Sequence, residues 1–333
     1  MSKIVLALTM GDPAGVGPEI VVKTVSSWDV EAIPLIVGER RVLEEAQRVS
    51  RVTIEWHEAR FPLQGNGPFL LDLRNVDFSS FSFGKVAPEM GRASYEYIEK
   101  AIALALDGKV QGVVTAPISK EALHRAAVPF IGHTEIFQSL SGVREALTMF
   151  QVGELRVFFL TRHLALREAI ERVKQDTLVR FLQKMILYLR VLGIPTPRIA
   201  VAALNPHAGE SGLLGREEGE EIIPAIEEVQ RMGYQVSGPY PADSIFFFAF
   251  QGKFDAVLSL YHDQGHIATK CLDFYRTVSV TLGLPFIRTS PDHGTAFDIA
   301  GQGVARHESM HEASRLAARY ALSYVLPLED EAS

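Results

Sequence analysis

Asp255-Ala-Val-Leu-Ser-Leu-Tyr-His-Asp-Gln-Gly265 decides how the chain folds. Residues 256–260 form an apolar run without alternation, which predicts a strand covered on both faces of a parallel sheet. The strand stops at Tyr261, His262, Asp263 and Gln264, four side chains able to do chemistry. Gly265 then tolerates a sharp turn, which argues against a clean helix joining His262 to His266. In open α/β sheets, ligands sit beyond the carboxyl ends of strands. The stretch therefore predicts a fold class and a place to look for a site. Taken alone, it is equally well a polar loop after a core strand.

Moving outward, strands and helices alternate. Strands are expected at 4–9, 34–38, 52–56 and 112–116, with helices at 20–25, 39–49 and 88–106. Residues 61–84 read as irregular, rich in Gly, Pro and Asn. Ser119 is a plausible N-cap, and His133 or Thr134 could cap the helix after it. Strands at 147–152 and 156–160 suit an antiparallel hairpin through Gly153-Glu154. Helices at 166–173 and 176–192, a strand at 198–204 and a helix at 217–232 follow. Residues 236–244 read as a loop, with Asp243 or Ser244 capping a segment at 246–250. Short strands at 278–281 and 286–288 and a helix at 310–326 close the chain. The pattern is α/β, with a mostly parallel sheet, one antiparallel part and a middle portion inserted as a second lobe. Gly11-Asp-Pro-Ala-Gly-Val-Gly-Pro-Glu19 matches neither G-x-G-x-x-G nor a P-loop, and reads as a structural strand-to-helix turn.

The 333 residues suffice for two domains. A composition 47% hydrophobic and 22% charged is ordinary for a globular protein. The formal charge of -7 and the lack of a basic stripe argue against a nucleic-acid partner. The lone Cys271 excludes an intrachain disulfide framework and a thiolate metal cluster. No apolar run suggests a membrane span, and Met1-Ser-Lys-Ile-Val-Leu6 lacks the features of a signal peptide, so a cytoplasmic protein is expected.

His163, His207 and His262 each fall just after an expected core strand. If those strands are neighbours, the imidazoles converge on one edge. Three imidazoles suit a borderline divalent ion such as zinc, cobalt or manganese and leave positions open for substrate. Asp263 and Glu210 could orient them. Any one of the three alone is better explained as a satisfied loop residue. His57, His124, His307 and His311 lack that context. Lys120, Lys270, Arg162 and Arg288 lie past strands or at turns, where cations would favour a carboxylate or phosphate.

The motifs, in order, are Gly11–Glu19, Ala116-Pro-Ile-Ser-Lys120, Gly132-His-Thr-Glu135, Thr161-Arg-His163, Asn205-Pro-His-Ala-Gly-Glu210, Tyr261-His-Asp-Gln-Gly265 and Ile287-Arg-Thr-Ser290. Together they resemble the 4-hydroxythreonine-4-phosphate dehydrogenase family of vitamin B6 (pyridoxine and pyridoxal phosphate) biosynthesis, over essentially the whole chain. Asp292-His-Gly-Thr-Ala296 with Asp298-Ile-Ala-Gly301 is also similar to the nucleotide loop of isopropylmalate and isocitrate dehydrogenases. The resemblance implies their two-domain α/β/α fold, with residues 1–128 plus 277–330 in a first domain and 129–276 in a second that carries metal ligands and the dimer interface. It implies a homodimer with the active site at its interface, where His163, His207 and His262 bind zinc, magnesium, cobalt or manganese with ligands from both subunits. His133, Thr134, Lys270, Ser279 and Arg288 match substrate-binding positions. His293, Gly294, Thr295, Ala296 and Asp298 would contact NAD or NADP. Lys270 and Asp263 are the candidates for the base.

The activity so implied is NAD(P)-linked oxidative decarboxylation of a phosphorylated four-carbon hydroxy acid. The first reading is 4-hydroxy-L-threonine 4-phosphate going to 3-amino-2-oxopropyl phosphate. Ser279 stands where biosynthetic members have Asn, and His266 where they have an apolar residue. The Asp292-His-Gly-Thr-Ala-Phe-Asp-Ile-Ala300 loop, with His266, looks closer to relatives that oxidise D-threonate or D-erythronate 4-phosphate to dihydroxyacetone phosphate; a dihydrodiol dehydrogenase is a further alternative. From a different class, an acyl-phosphate acyltransferase shares a related sheet.

Overall fold

The computed structural model describes residues 3–324. The chain divides into two compact units, one running up to Leu147 and resuming at Val278, the other spanning Thr148–Thr277.

The first unit opens with β1 (Val5–Thr9), α1 (Gly17–Ser26), β2 (Ile33–Gly38) and α2 (Arg40–Ser50). Pro18 sits in the first turn of α1, where its missing N–H leaves nothing unsatisfied. The short strands β3 (His57–Glu58) and β4 (Phe69–Asp72) follow. No strand forms at 52–56, because pairing with β4 begins only where His57 meets Phe69. The stretch taken as irregular conceals β4, which pairs in parallel with β2. Helix α3 (Pro88–Leu106), β5 (Gly112–Thr115), α4 (Lys120–Arg125) and α5 (His133–Ser141) complete this first part. Ser119 caps α4, its Oγ accepting the Ala122 N–H at 3.1 Å. At α5, by contrast, the capping residue is Gly132, and neither His133 nor Thr134 caps. Helix α5 packs on α3, so residues 129–147 go with the first unit, later than the boundary expected from the resemblance.

In the second unit, β6 (Leu147–Val152) and β7 (Leu155–Phe159) make the expected antiparallel hairpin. Next come α6 (Leu166–Glu171), α7 (Gln175–Val191), β8 (Ile199–Ala202), α8 (Ile223–Arg231), β9 (Val236–Tyr240), α9 (Ala242–Phe250), β10 (Ala256–Ser259) and α10 (His262–Leu272). The expected loop at 236–244 contains β9, whose Gly238 and Pro239 are tolerated because β9 ends the strand order and pairs only with β8. Helix α9 is capped by Pro241 rather than Asp243 or Ser244. The order here is β6-β7-β10-β8-β9, parallel except for β6.

The chain returns to the first unit with β11 (Val278–Leu282), β12 (Ile287–Pro291) and α11 (Glu308–Ala321). There the order is β3-β4-β2-β1-β5-β12-β11, with β11 antiparallel to β12 and the rest parallel. Each unit is thus α/β and mostly parallel, each with its own antiparallel pair. All four residues of β10 are buried, as a mostly apolar run in a parallel sheet requires; all five of β12 are buried too, although three of them, Arg288, Thr289 and Ser290, are polar. No helix among the described residues is long and apolar enough to cross a membrane.

Candidate active site

Strands β7 and β10 lie side by side, Phe159 opposite Ser259. Past the last pair, Leu160 N–H donates to Ser259 O at 2.8 Å and the Thr161 hydroxyl to Leu260 O at 2.8 Å. Gln264 locks the same end: its Oε1 accepts Leu260 N–H (2.8 Å) and its Nε2 donates to Ala203 O beyond β8 (2.7 Å). These bonds bring His163 and His262 together, with ring centroids 5.8 Å apart. A cavity of about 300 Å³ is lined by Arg162, His163, Leu164, Tyr261, His262 and Asp263, among others.

Helix α10 begins at His262 and runs unbroken through Gly265, contrary to the expected turn. The glycine serves packing instead. A β-carbon there would lie 2.5 Å from the Phe159 ring and 2.8 Å from Val157, so only glycine lets α10 settle on β7. The consequence is a stripe of His262, His266 and Lys270 at i, i+4 and i+8 on one helix face. His266 is buried, stacked on Phe159 at 4.6 Å, edge-on to Phe150 at 4.3 Å, and 4.2 Å from the His262 ring. Burial first, then His262, Lys270 and Arg162, push its pKa down to about 4, so it is neutral at pH 7. Lys270 lies half-buried, its ammonium 5.3 Å from the Phe274 ring centre.

Asp263 Oδ1 lies 2.6 Å from His262 Nδ1. An ionised Asp263 places the proton on Nδ1 and leaves the Nε2 lone pair for a cation, as a carboxylate behind a metal-binding imidazole does. His163 and His262 are thus two donors of the kind a borderline divalent ion takes, short of a full set. His207 is exposed and does not line this cavity, and among the described residues no three His, Cys, Asp or Glu side chains group closely enough to hold a metal. The turn that carries His207 is unusual: residues 207–211 all have positive φ, four of them not glycine. That conformation is costly for residues with a β-carbon and needs outside support. Buried Glu218 supplies it, accepting Leu204 N–H, Asn205 N–H and the Asn205 amide at 2.7–2.9 Å. Nothing in the sequence singled out Glu218 within its acidic run. Glu210 reaches His207 Nδ1 at 3.3 Å.

The first unit holds a different centre. Arg288 on β12 is 5% exposed and has hydroxyl partners: its Nε and Nη2 donate to Thr115 Oγ1 at 3.2 and 2.6 Å, and Nη1 donates to Thr281 Oγ1 at 3.0 Å. Its guanidinium lies 5.4 Å from the Phe137 ring centre. Burial pulls its pKa down to about 10, still charged at pH 7. His133 stays neutral, held well below its usual range by burial and then by Arg288. Its Nε2 is buried and meets no hydrogen-bond partner. Among the described residues no carboxylate pairs with this buried cation, a state in which an anion could compensate it. Thr134 stands next to His133, and the Lys120 stem passes close to Gly132. Ser279 lies opposite Ser290 on the β11–β12 ladder and is 9% exposed. Thr115 and Thr281, which aim Arg288, were not recognised from sequence because a strand threonine carries no signal of that role.

Loop 292–303 follows β12. His293, Gly294 and Asp298 are exposed, Thr295 is partly buried, and Ala296 takes a left-handed φ of 41°. The glycine-rich turn after β1 braces this loop: Val16 N–H donates to Thr295 O at 2.9 Å.

Residues 31–317 match the family model described as pyridoxal phosphate biosynthetic protein PdxA. A protein of Fusobacterium nucleatum subsp. nucleatum, provisionally named D-threonate 4-phosphate dehydrogenase, is 49% identical over 325 residues, covering 96% of this chain and 98% of its own. A crystal structure of a 4-hydroxythreonine-4-phosphate dehydrogenase from Burkholderia phymatum superposes with a TM-score of 0.82 at 41% identity, covering 96% of this chain and 99% of that one. One from Klebsiella pneumoniae gives a TM-score of 0.85 at 38% identity, covering 96% and 100%.

Proposed function

The chain belongs to the pyridoxal phosphate biosynthetic protein PdxA family, and from that membership we propose that it oxidises and decarboxylates a phosphorylated four-carbon hydroxy acid with NAD or NADP. We further propose D-threonate 4-phosphate, or its C2 epimer D-erythronate 4-phosphate, as the substrate, with dihydroxyacetone phosphate, CO2 and reduced dinucleotide as products. This reverses the order suggested by the sequence, which put 4-hydroxy-L-threonine 4-phosphate first. The two kinds of substrate differ at C2, hydroxyl against ammonium. The observation that carries the choice is the 49% identity, over 96% of this chain, to the Fusobacterium protein provisionally named D-threonate 4-phosphate dehydrogenase. His266, one of the two departures from the biosynthetic pattern, supports the same choice.

The roles follow from the chemistry of each group. Arg288 and His133 receive an anionic end of the substrate, with Thr134 and Ser279 as further contacts. Lys270 takes the hydroxyl proton, since Asp263 is engaged in orienting His262. Loop residues His293, Gly294, Thr295, Ala296 and Asp298 hold the dinucleotide. His163 and His262, with His207 from a second copy in a homodimer, would hold a divalent cation. That ion would supply Lewis acidity to the reacting hydroxyl.

The test is turnover of D-threonate, D-erythronate and 4-hydroxy-L-threonine 4-phosphates with NAD or NADP and magnesium, manganese, cobalt or zinc, following reduced dinucleotide and CO2. The D-acid phosphates should show the higher kcat/KM. Preference for 4-hydroxythreonine phosphate overturns the substrate choice. No reduced dinucleotide with any pairing overturns the dehydrogenase reading.

A further inference from the structure

The turn Gly11–Glu19 reads from sequence as a structural strand-to-helix turn, and the structure gives it a task. Three groups spread along α1, at its N-cap, first turn and last turn, reach loop 292–305. Val16 N–H donates to Thr295 O at 2.9 Å. Glu19 Oε1 accepts Gly301 N–H at 2.6 Å. Lys23 Nζ donates to Gly303 O at 2.8 Å and Ala305 O at 2.7 Å. Glu19 is wholly buried, and Lys23 lies 4.0 Å from its Oε2 as the neighbouring positive charge. Gly15 presses on Thr295, where a β-carbon would stand 3.0 Å from the threonine side chain and carbonyl.

The loop needs such support. It has no strand or helix of its own, and Ala296, Gly301 and Gly303 all take left-handed backbone angles. A buried charge is tolerated only when paired and hydrogen-bonded. Here Glu19 Oε1 and Lys23 Nζ find their hydrogen bonds on backbone atoms of the loop, while Glu19 Oε2 accepts none and has only the Lys23 charge 4.0 Å away, so the pair loses these bonds if the loop shifts. A loop ordered before binding spares the ligand the cost of ordering it.

We propose that Glu19 and Lys23 are positioning residues that pre-order loop 292–305 for the dinucleotide, a role that rests on the reading of that loop as the cofactor site. They touch neither substrate nor reacting atoms and act through the loop backbone.

The experiment compares the full-length chain with Lys23→Met, Lys23→Arg and Gly15→Ala. It measures dinucleotide affinity by calorimetry, KM for dinucleotide and for substrate, kcat, and amide exchange across 295–305. Charged hydrogen bonds of the kind lost in Lys23→Met set the expected scale, a ~10–100-fold rise in dinucleotide Kd and KM. Substrate KM and kcat at saturating dinucleotide should stay within about threefold of wild type, a small fraction of that effect. Exchange should quicken in 295–305 and not elsewhere, and Lys23→Arg should recover most of the affinity. Gly15→Ala displaces the loop without touching the ion pair and should weaken the dinucleotide in the same selective way. Unchanged dinucleotide affinity in a folded Lys23→Met, or equal losses in every parameter, overturns the proposal. If wild type itself binds no dinucleotide, the cofactor reading falls and this inference with it, a result separate from any variant's.

Discussion

Replacing Arg288 with Met separates a residue kept for stability from one kept for binding. Arg288 is 5% exposed and makes three hydrogen bonds, all to threonine hydroxyls. Its pKa is held at about 10 by burial. The pull from its ordinary value disfavours the charged folded form by on the order of 3 kcal/mol at neutral pH. The sign is unambiguous: a cation whose folded pKa is lowered weakens the fold at every pH below that value, and the penalty fades only above about 10. Methionine removes that penalty and keeps most of the volume. It leaves two hydroxyls short of a donor, at about 1–3 kcal/mol in all. Stability to denaturant should therefore change by no more than about 1–2 kcal/mol in either direction. Binding should respond very differently. Two charge-assisted bonds to a phosphate or carboxylate are worth roughly 3–6 kcal/mol together, or about 10²–10⁴ in kcat/KM. Inorganic phosphate should raise the melting temperature of wild type and not of Arg288→Met. The reasoning is refuted if Arg288→Met loses about 3–5 kcal/mol of stability, the mark of a broken buried ion pair, while KM for the phosphorylated substrate is unchanged.

Two further tests address other groups. Asp12 is wholly buried, one oxygen accepting Ala14 N–H at 2.9 Å and the other unpartnered, and burial raises its pKa to about 6. A raised carboxyl pKa means that the folded state holds its proton more tightly, so stability falls as pH rises from about 4 to about 6 and stays low above. Asp12→Asn should therefore be more stable than wild type by on the order of 3 kcal/mol at pH 8, the gap closing toward pH 4; a gap independent of pH in urea unfolding would contradict this. Asp263→Asn should weaken divalent-ion affinity about 10–100-fold while saturating metal restores kcat, because the carboxylate orients His262. A kcat that stays low at saturating metal would make Asp263, rather than Lys270, the base.

A glycine inside His262–Leu272 suggested a break, yet the helix is continuous because Gly265 is spent on close contact with Phe159 and Val157. That contact lies across the sheet and leaves no trace in the local spacing. The same holds for β4 and β9, short strands rich in turn formers that gain their pairing from β2 and β8. Residues 129–147 likewise join the first unit through the packing of α5 on α3.

The sequence by itself determined what periodicity and local chemistry can carry. Unalternated apolar runs ending in polar residues specified an α/β chain with buried parallel strands. Histidines past those runs marked candidate donors, and the ordered motifs specified the family. Tertiary structure alone decided which groups meet. His163 and His262 stand together because Thr161 and Gln264 lock two strand ends, whereas His207 lies outside their cavity on a left-handed turn propped by Glu218. Arg288 keeps its charge uncompensated because its partners, Thr115 and Thr281, are hydroxyls without charge. Such facts depend on distances between residues far apart in the chain, and burial sets the charge state of each group only once those distances exist.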